Sequence, residues 1–193
     1  MLLPIFKGAY NRVSIKSIQQ VTINLSSVTS NTATITAVST SNAFIMFQGV
    51  EEPGPTNGSP NQTNTRVELT NSTTVTAFTA SSNGDTRVVH AVVIEFQPGA
   101  INSIQAGTIL LADNSNASGT NSVTATITSV NTAKSFCIWL GGTLASVGVG
   151  TLMYSVYSAV ALTNATTVTA TANNSLSVAG TPWKVGYMVV EFR

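Results

Sequence analysis

Any chemistry in this chain must be assembled from few parts, because it has one histidine, one cysteine and only 8% charged residues. A nucleophilic triad or a histidine-based metal site would have to centre on His90, in Arg87-Val88-Val89-His90-Ala91-Val92. The simpler reading is a strand histidine that faces solvent or is satisfied by a neighbour. Cys137 sits between Phe136 and Ile138, where a small buried apolar residue is expected, away from any basic cluster that would lower its pKa. Glu51-Glu52 lie in a Pro- and Gly-rich loop and Asp85 and Asp113 in turns, and none has the paired spacing of a glycosidase or a calcium loop. The glycines from Gly141 to Gly150 have no lysine in a P-loop position. The expectation is a protein that is not an enzyme, with no catalytic residue, no cofactor and no metal.

The elements that would carry these residues come into view through repetition, because the second half restates the first in the same order. Ser17-Ile18-Gln19-Gln20-Val21-Thr22-Ile23 pairs with Ser103-Ile104-Gln105-Ala106-Gly107-Thr108-Ile109, and Thr32-Ala33-Thr34-Ile35-Thr36 with Thr124-Ala125-Thr126-Ile127-Thr128. Phe44 and Gly49 match Phe136 and Gly141. Val67 to Ala77 matches Val160 to Ala170, and Val93-Ile94-Glu95-Phe96 matches Val189-Val190-Glu191-Phe192. The spacing grows from 86 residues (Ser17 to Ser103) to 96 (Glu95 to Glu191), so insertions fall in loops. Gln97-Pro98-Gly99-Ala100 is a turn signal at the join. His90 has no counterpart in the second half.

Apolar and hydroxyl residues alternate in Thr34–Val38, Val123–Thr128, Thr74–Phe78 and Thr167–Ala170, the period of a sheet with one buried face. The continuous apolar runs Phe44–Phe47 and Phe136–Trp139 suggest central strands buried on both faces. No convincing amphipathic helix is present. The fold expected is all-β: two tandem homologous β-sandwich or flattened-barrel domains from an internal duplication, with about five to seven strands each. Residues 1–13 form an N-terminal arm, 14–97 the first domain and 98–193 the second.

The repeat keeps a carboxylate one residue before a Phe at the end of each half, Glu95 and Glu191. The ordinary reading is a strand-end carboxylate that pairs with an Arg or caps a turn; the other is an intersubunit contact with Arg12, Arg66, Arg87 or Arg193. Trp139, Tyr154, Tyr157, Trp183 and Tyr187 all fall in the second half, where they would pack in a core or give a flat sugar- or protein-binding face. The candidate interface residues are therefore Glu95, Glu191, Trp183, Arg12 and Arg193. The sequons Asn71-Ser72-Thr73 and Asn164-Ala165-Thr166 read as turn and strand chemistry.

A net charge of +1 with no Lys or Arg cluster argues against nucleic acid as a partner. No apolar run reaches the roughly 20 residues a membrane helix needs. With 43% hydrophobic residues the chain has enough Val, Ile, Leu and Ala for a core, and its polar surface comes from Ser, Thr and Asn. Weak self-repulsion suits a subunit that associates with others.

Each half resembles small, β-rich tailed-bacteriophage virion proteins that open with Ser-Ile-Gln-x-Gly-Thr-Ile and close with Val-Val-Glu-Phe. Residues 103–109 and 188–192 match that pattern best; the first half departs from it, with Val21 where Gly107 stands and Ile94 in the closing run. The resemblance implies a structural protein of the virion surface, made in the host cytoplasm, and no active site. A capsid decoration or cement protein is the reading preferred. It would be a homo-oligomer, a trimer being the guess from the duplication, with the major capsid protein or other virion proteins as partners. The alternative is a tail or fibre component, an adhesin for a host surface glycan.

Overall fold

The computed structural model describes residues 14–51, 64–80, 87–111, 119–144, 158–174 and 183–193. The chain is all-β. In the first half run β1 (Ile15–Asn24), β2 (Ser30–Thr34), β3 (Ala43–Glu51), β4 (Thr65–Asn71), β5 (Thr74–Thr79) and β6 (Val88–Phe96). In the second follow β7 (Ile101–Leu111), β8 (Gly119–Thr126), β9 (Ser135–Leu144), β10 (Ser158–Asn164), β11 (Thr167–Asn174) and β12 (Trp183–Phe192), with a short 3-10 turn at Thr132–Lys134. The arm at residues 1–13, and with it Arg12, lies outside the described residues, as do Glu52, Asp85, Asp113, Tyr154, Tyr157 and Gly148 to Gly150.

The strands form antiparallel sheets ordered β1-β6-β3, β10-β11-β8 and β2-β5-β4-β9-β12-β7. The last is two triplets joined at the β4–β9 edge by the single pair Arg66 and Gly141. One pairing scheme thus occurs in both halves, β1-β6-β3 like β7-β12-β9 and β2-β5-β4 like β8-β11-β10. Registers agree as well: Ser17 lies opposite Glu95 and Ser103 opposite Glu191, with a bulge beside each pair. Between the halves, Gln97 to Ala100 is a tight turn with Gly99 at φ 91° and the Ala100 N–H donating to the Gln97 carbonyl. Gly supplies that left-handed conformation without steric cost.

Alternation along β1 and β6 places Val21, Ile23, Val89, Ala91 and Val93 in one core with Val67, Val75 and Ala77 of β4 and β5. A second core gathers Ile109, Val168, Ala170, Trp183, Val185, Tyr187 and Val189. The β7-β12-β9 sheet stands between the two. Its Val185, Tyr187 and Val189 face the second core, while Met188, Val190, Ile138 and Leu140 enter the first. Phe44, Phe96, Phe136 and Phe192 meet in a four-ring cluster, each half contributing a stacked pair and the pairs joined edge-on. Such ring contacts add roughly 0.5–1.5 kcal/mol each beyond area burial.

Two sequence expectations need correction. The run Phe44–Phe47 is not in a central strand, because β3 is a sheet edge, and Phe136–Trp139, in the interior strand β9, is not buried on both faces, since Phe136 and Trp139 are partly exposed. Their apolar character serves the contact between halves, where Phe44 meets Phe136 and Phe47 meets Trp139. The alternating stretch Thr34–Val38 leaves the ladder after Thr34. Ile35 and Val38 are still buried, and their N–H groups donate to the carbonyls of Thr73 and Ser72 in the β4–β5 turn; Ile127 and Val130 do the same to Thr166 and Ala165. The period of two ends with the ladder: Ala37 and Ser129 are exposed, and the next buried side chains, Val38 and Val130, come three residues after Ile35 and Ile127.

Candidate functional site

Glu95 and Glu191 follow the inward-facing residues of β6 and β12, so their carboxylates reach the rim of the core rather than the solvent. Each is buried, and each accepts from three groups. Glu95 takes the Lys16 Nζ at 2.9 Å, the Ser17 hydroxyl at 3.3 Å and the Ser39 backbone N–H at 2.9 Å. Glu191 takes the Asn102 side-chain amide at 2.6 Å, the Ser103 hydroxyl at 3.1 Å and the Asn131 backbone N–H at 2.8 Å. A buried carboxylate is tolerated when its oxygens are satisfied in this way.

Burial pushes the Glu95 carboxyl up, but the Ser39 N–H and Lys16 outweigh it and hold the group below its ordinary value. Glu191 is held low chiefly by the Asn131 N–H, then by Asn102. Both carboxylates fasten the last strand of a half to its first strand and to the segment that leads into its third. The cation on Glu95 is a lysine, not an arginine, and Glu191 caps the residue that opens the Thr132–Lys134 turn.

The recurrent glutamines do related work. Gln19 accepts from the Thr36 N–H and donates to the Thr36 carbonyl, and Gln105 makes the same pair of bonds with Thr128. Asn71 and Asn164 each accept from the N–H and hydroxyl of the threonine two residues on, closing the β4–β5 and β10–β11 turns. The Ser-Ile-Gln and Glu-Phe landmarks are thus occupied in holding strands together.

Val21, where the first half departs from Gly107 of the second, has a physical counterpart across the sheet. Gly107 lies opposite Tyr187, and a Cβ added there would come within 2.7 Å of the tyrosine hydroxyl. Val21 lies opposite Ala91. A small–large pair in one half is a larger–small pair in the other, so the volume stays between the strands.

His90 projects from the other face of β6. Its ring stands 3.5 Å from the Thr22 hydroxyl on one nitrogen and 3.5 Å from a Glu51 carboxylate oxygen on the other. This has the order of a nucleophile, base and acid, but the Glu51 side chain is 64% exposed. A triad needs a buried acid that orients the ring; an exposed pair at this distance is screened and contributes under about 1 kcal/mol. Cys137 is half-buried, and loss of solvent pushes its thiol up to about 11, away from the thiolate a nucleophile needs. Among the described residues no three of His, Cys, Asp and Glu come together.

Trp183 and Tyr187 are core residues, and Trp139 is partly exposed with its indole N–H donated to Ser158. Arg193 is exposed, with its backbone N–H donating to the Ala100 carbonyl and its Nε to that of Ile101. Sequence reading missed the junction at Arg66. Its guanidinium lies 4.3 Å over the Phe78 ring and bonds Glu68 at 2.6 Å, while its stem crosses β12 where a Cβ on Gly186 would come within 2.9 Å of it. Gly141, at φ 91°, lets β4 approach: a Cβ there would stand 2.1 Å from the Thr65 carbonyl oxygen. Glycines inside a strand-forming run were the available signal. No family model matches this chain, and neither a curated protein nor a solved structure does.

Proposed function

We propose that the chain is a non-catalytic structural subunit built from two equivalent β-sandwich domains, residues 14–97 and 98–193, that arose by internal duplication. In this reading it decorates the head surface of a tailed-phage virion and binds the major capsid protein. The observation that carries the structural half is the matched set of fastenings: Glu95 with Ser17 and Ser39, Glu191 with Ser103 and Asn131, Gln19 with Thr36 and Gln105 with Thr128. Residues that recur in sequence recur in role, and the role is stability. The virion assignment rests on the sequence resemblance; burial of Trp183 and Tyr187 argues against the glycan-binding alternative.

Quantitative mass spectrometry of purified particles tests the assignment, scoring copies of this chain against the major capsid protein. A decoration protein gives a ratio of roughly one-to-one or one-to-few, since closed shells repeat their surface subunits. Tail-like stoichiometry would move the protein to a fibre or adaptor, and its absence from particles would overturn the virion reading.

A further inference from the structure

The two halves meet about an approximate twofold axis. Three ring contacts between them each join a residue to its own counterpart: Phe44 to Phe136, Phe47 to Trp139 and Phe96 to Phe192. Away from such an axis contacts come in pairs, because residue i on j implies j on i. The pairing of β4 with β9 at Arg66 and Gly141 therefore calls for a second pairing, of β10 with β3 at Ala159 and Gly49. Two six-stranded sheets would result. One is formed: β2-β5-β4-β9-β12-β7 is continuous, whereas β1-β6-β3 and β10-β11-β8 stay separate among the described residues.

The open seam keeps the backbone that closure needs. Gly49 has φ 138°, in the positive range that Gly141 also uses, at 91°. At Gly141 that backbone admits β4, and a Cβ there would stand 2.9 Å from the Arg66 Cα; at Gly49 no described atom lies within 4 Å of the same position. Positive φ inside a strand is confined to Gly and weakens the ladder, and at Gly49 it serves no contact.

One side chain spans the seam. Trp139 packs its ring 5.5 Å from that of Phe47 on β3 and donates its indole N–H, at 3.1 Å, to the Ser158 hydroxyl at the start of β10. It is 38% exposed. The corresponding residues of the closed seam are Phe47 and Thr65, a smaller ring with no N–H to give. The closed seam also lays the Arg66 stem across Gly186, where the open one has Ala159 and, by register, His90. Small and large are exchanged, so the volume for closure is conserved.

We infer that the β3–β10 seam closes as a second copy of the β4–β9 junction, with Ala159 opposite Gly49 and Trp139 as the wedge that holds it open. Closure carries the β10-β11-β8 triplet onto the edge of β3 and completes the second six-stranded sheet. It withdraws an unpaired edge and the Trp139 indole from solvent. The open and closed forms are two arrangements of the same packed halves. This device goes beyond the structural role proposed above and is independent of the virion assignment.

Pulsed electron resonance on the full purified chain tests it. Cys137→Ala removes the native thiol, and spin labels are placed at Met46→Cys and Ala161→Cys, exposed positions of β3 and β10. Two distances are expected, the longer one dominant. Trp139→Phe removes the wedge, and Ser158→Ala removes only the bond that seats it. Each is expected to raise the ratio of short to long by roughly tenfold. Should Trp139→Phe fail to fold, Ser158→Ala still decides the matter, because it changes a single hydroxyl. One distance throughout, in the labelled parent and in the variants, overturns the inference. So does a short distance whose share ignores both changes, since Trp139 would then hold nothing open. The measurement uses no particles, so its failure is distinct from a failed virion assignment.

Discussion

Replacing Glu191 by Gln probes the fastening at the end of β12 with almost no change in shape. One oxygen of Glu191 accepts the Asn131 N–H, and the other accepts both Asn102 and Ser103. An amide has one acceptor. In its best arrangement the Gln oxygen keeps Asn131, its NH2 turns to the Ser103 hydroxyl, and Asn102 is left to water. Hydrogen bonds to a charged group contribute about 1.5–3 kcal/mol and neutral ones about 1. Losing one and downgrading another, less the relief water gives the exposed Asn102, costs about 2–3 kcal/mol. For a chain of this length that lowers Tm by roughly 4–10 °C. Glu95→Gln should cost less, about 1–2 kcal/mol, because the bond it gives up goes to the half-exposed Lys16. The loss should also depend on pH. Both carboxyls are held below their ordinary 4.5 in the folded chain, so their stabilisation is complete above that value and disappears as pH falls through the lower folded values. Thermal unfolding followed by circular dichroism at neutral pH and in acid should show a gap between wild type and variant that closes in acid. A gap under about 1 °C at neutral pH, or one that persists undiminished in strong acid, would refute the reasoning.

Gly141→Ala should be among the most damaging single changes, costing several kcal/mol, since its methyl would overlap the Thr65 carbonyl on a left-handed backbone. Gly49→Ala meets open space and should lose only the backbone cost, about 1–3 kcal/mol, so urea midpoints of the two variants should differ clearly. Gln105→Ala removes two hydrogen bonds to an exposed backbone segment and should cost about 1 kcal/mol by the same assay. Cys137, its thiol raised to about 11, should react slowly with a thiol reagent at neutral pH and rapidly once the chain is unfolded; fast labelling of the native protein would count against its burial.

Strand identity was legible where period and turn chemistry agreed. The Asn71 and Asn164 turns, the Pro98-Gly99 join and the inward positions of Val75, Ala77, Val168 and Ala170 could all be read from the sequence. Partnership was not. Phe44–Phe47 reads as a doubly buried strand because an edge whose rings pack on the other half has the composition of a central strand. Glu95 and Glu191 stood out through their recurrence, but a burial tolerated by three donors looks in sequence like a surface charge. The Arg66 junction was hidden because its partner is a glycine some 75 residues away (66 to 141), and the space that matters there is an absence of side chain.

The two cores also differ in where their residues come from. The described residues of the second core all belong to the second half, whereas the first core is completed by Ile138, Leu140, Met188 and Val190. During synthesis the half that leaves the ribosome first is therefore the half that must wait. Its β3 and β4 rim stays open to solvent, and to the wrong neighbour, until β12 has been made. A chain cut short before Met188 would keep Ile138 and Leu140 but lack Met188 and Val190, so the apolar opening would be only partly filled. The order of translation thus opposes the order of closure, and rapid completion of the C-terminal strand protects the nascent chain against mispairing.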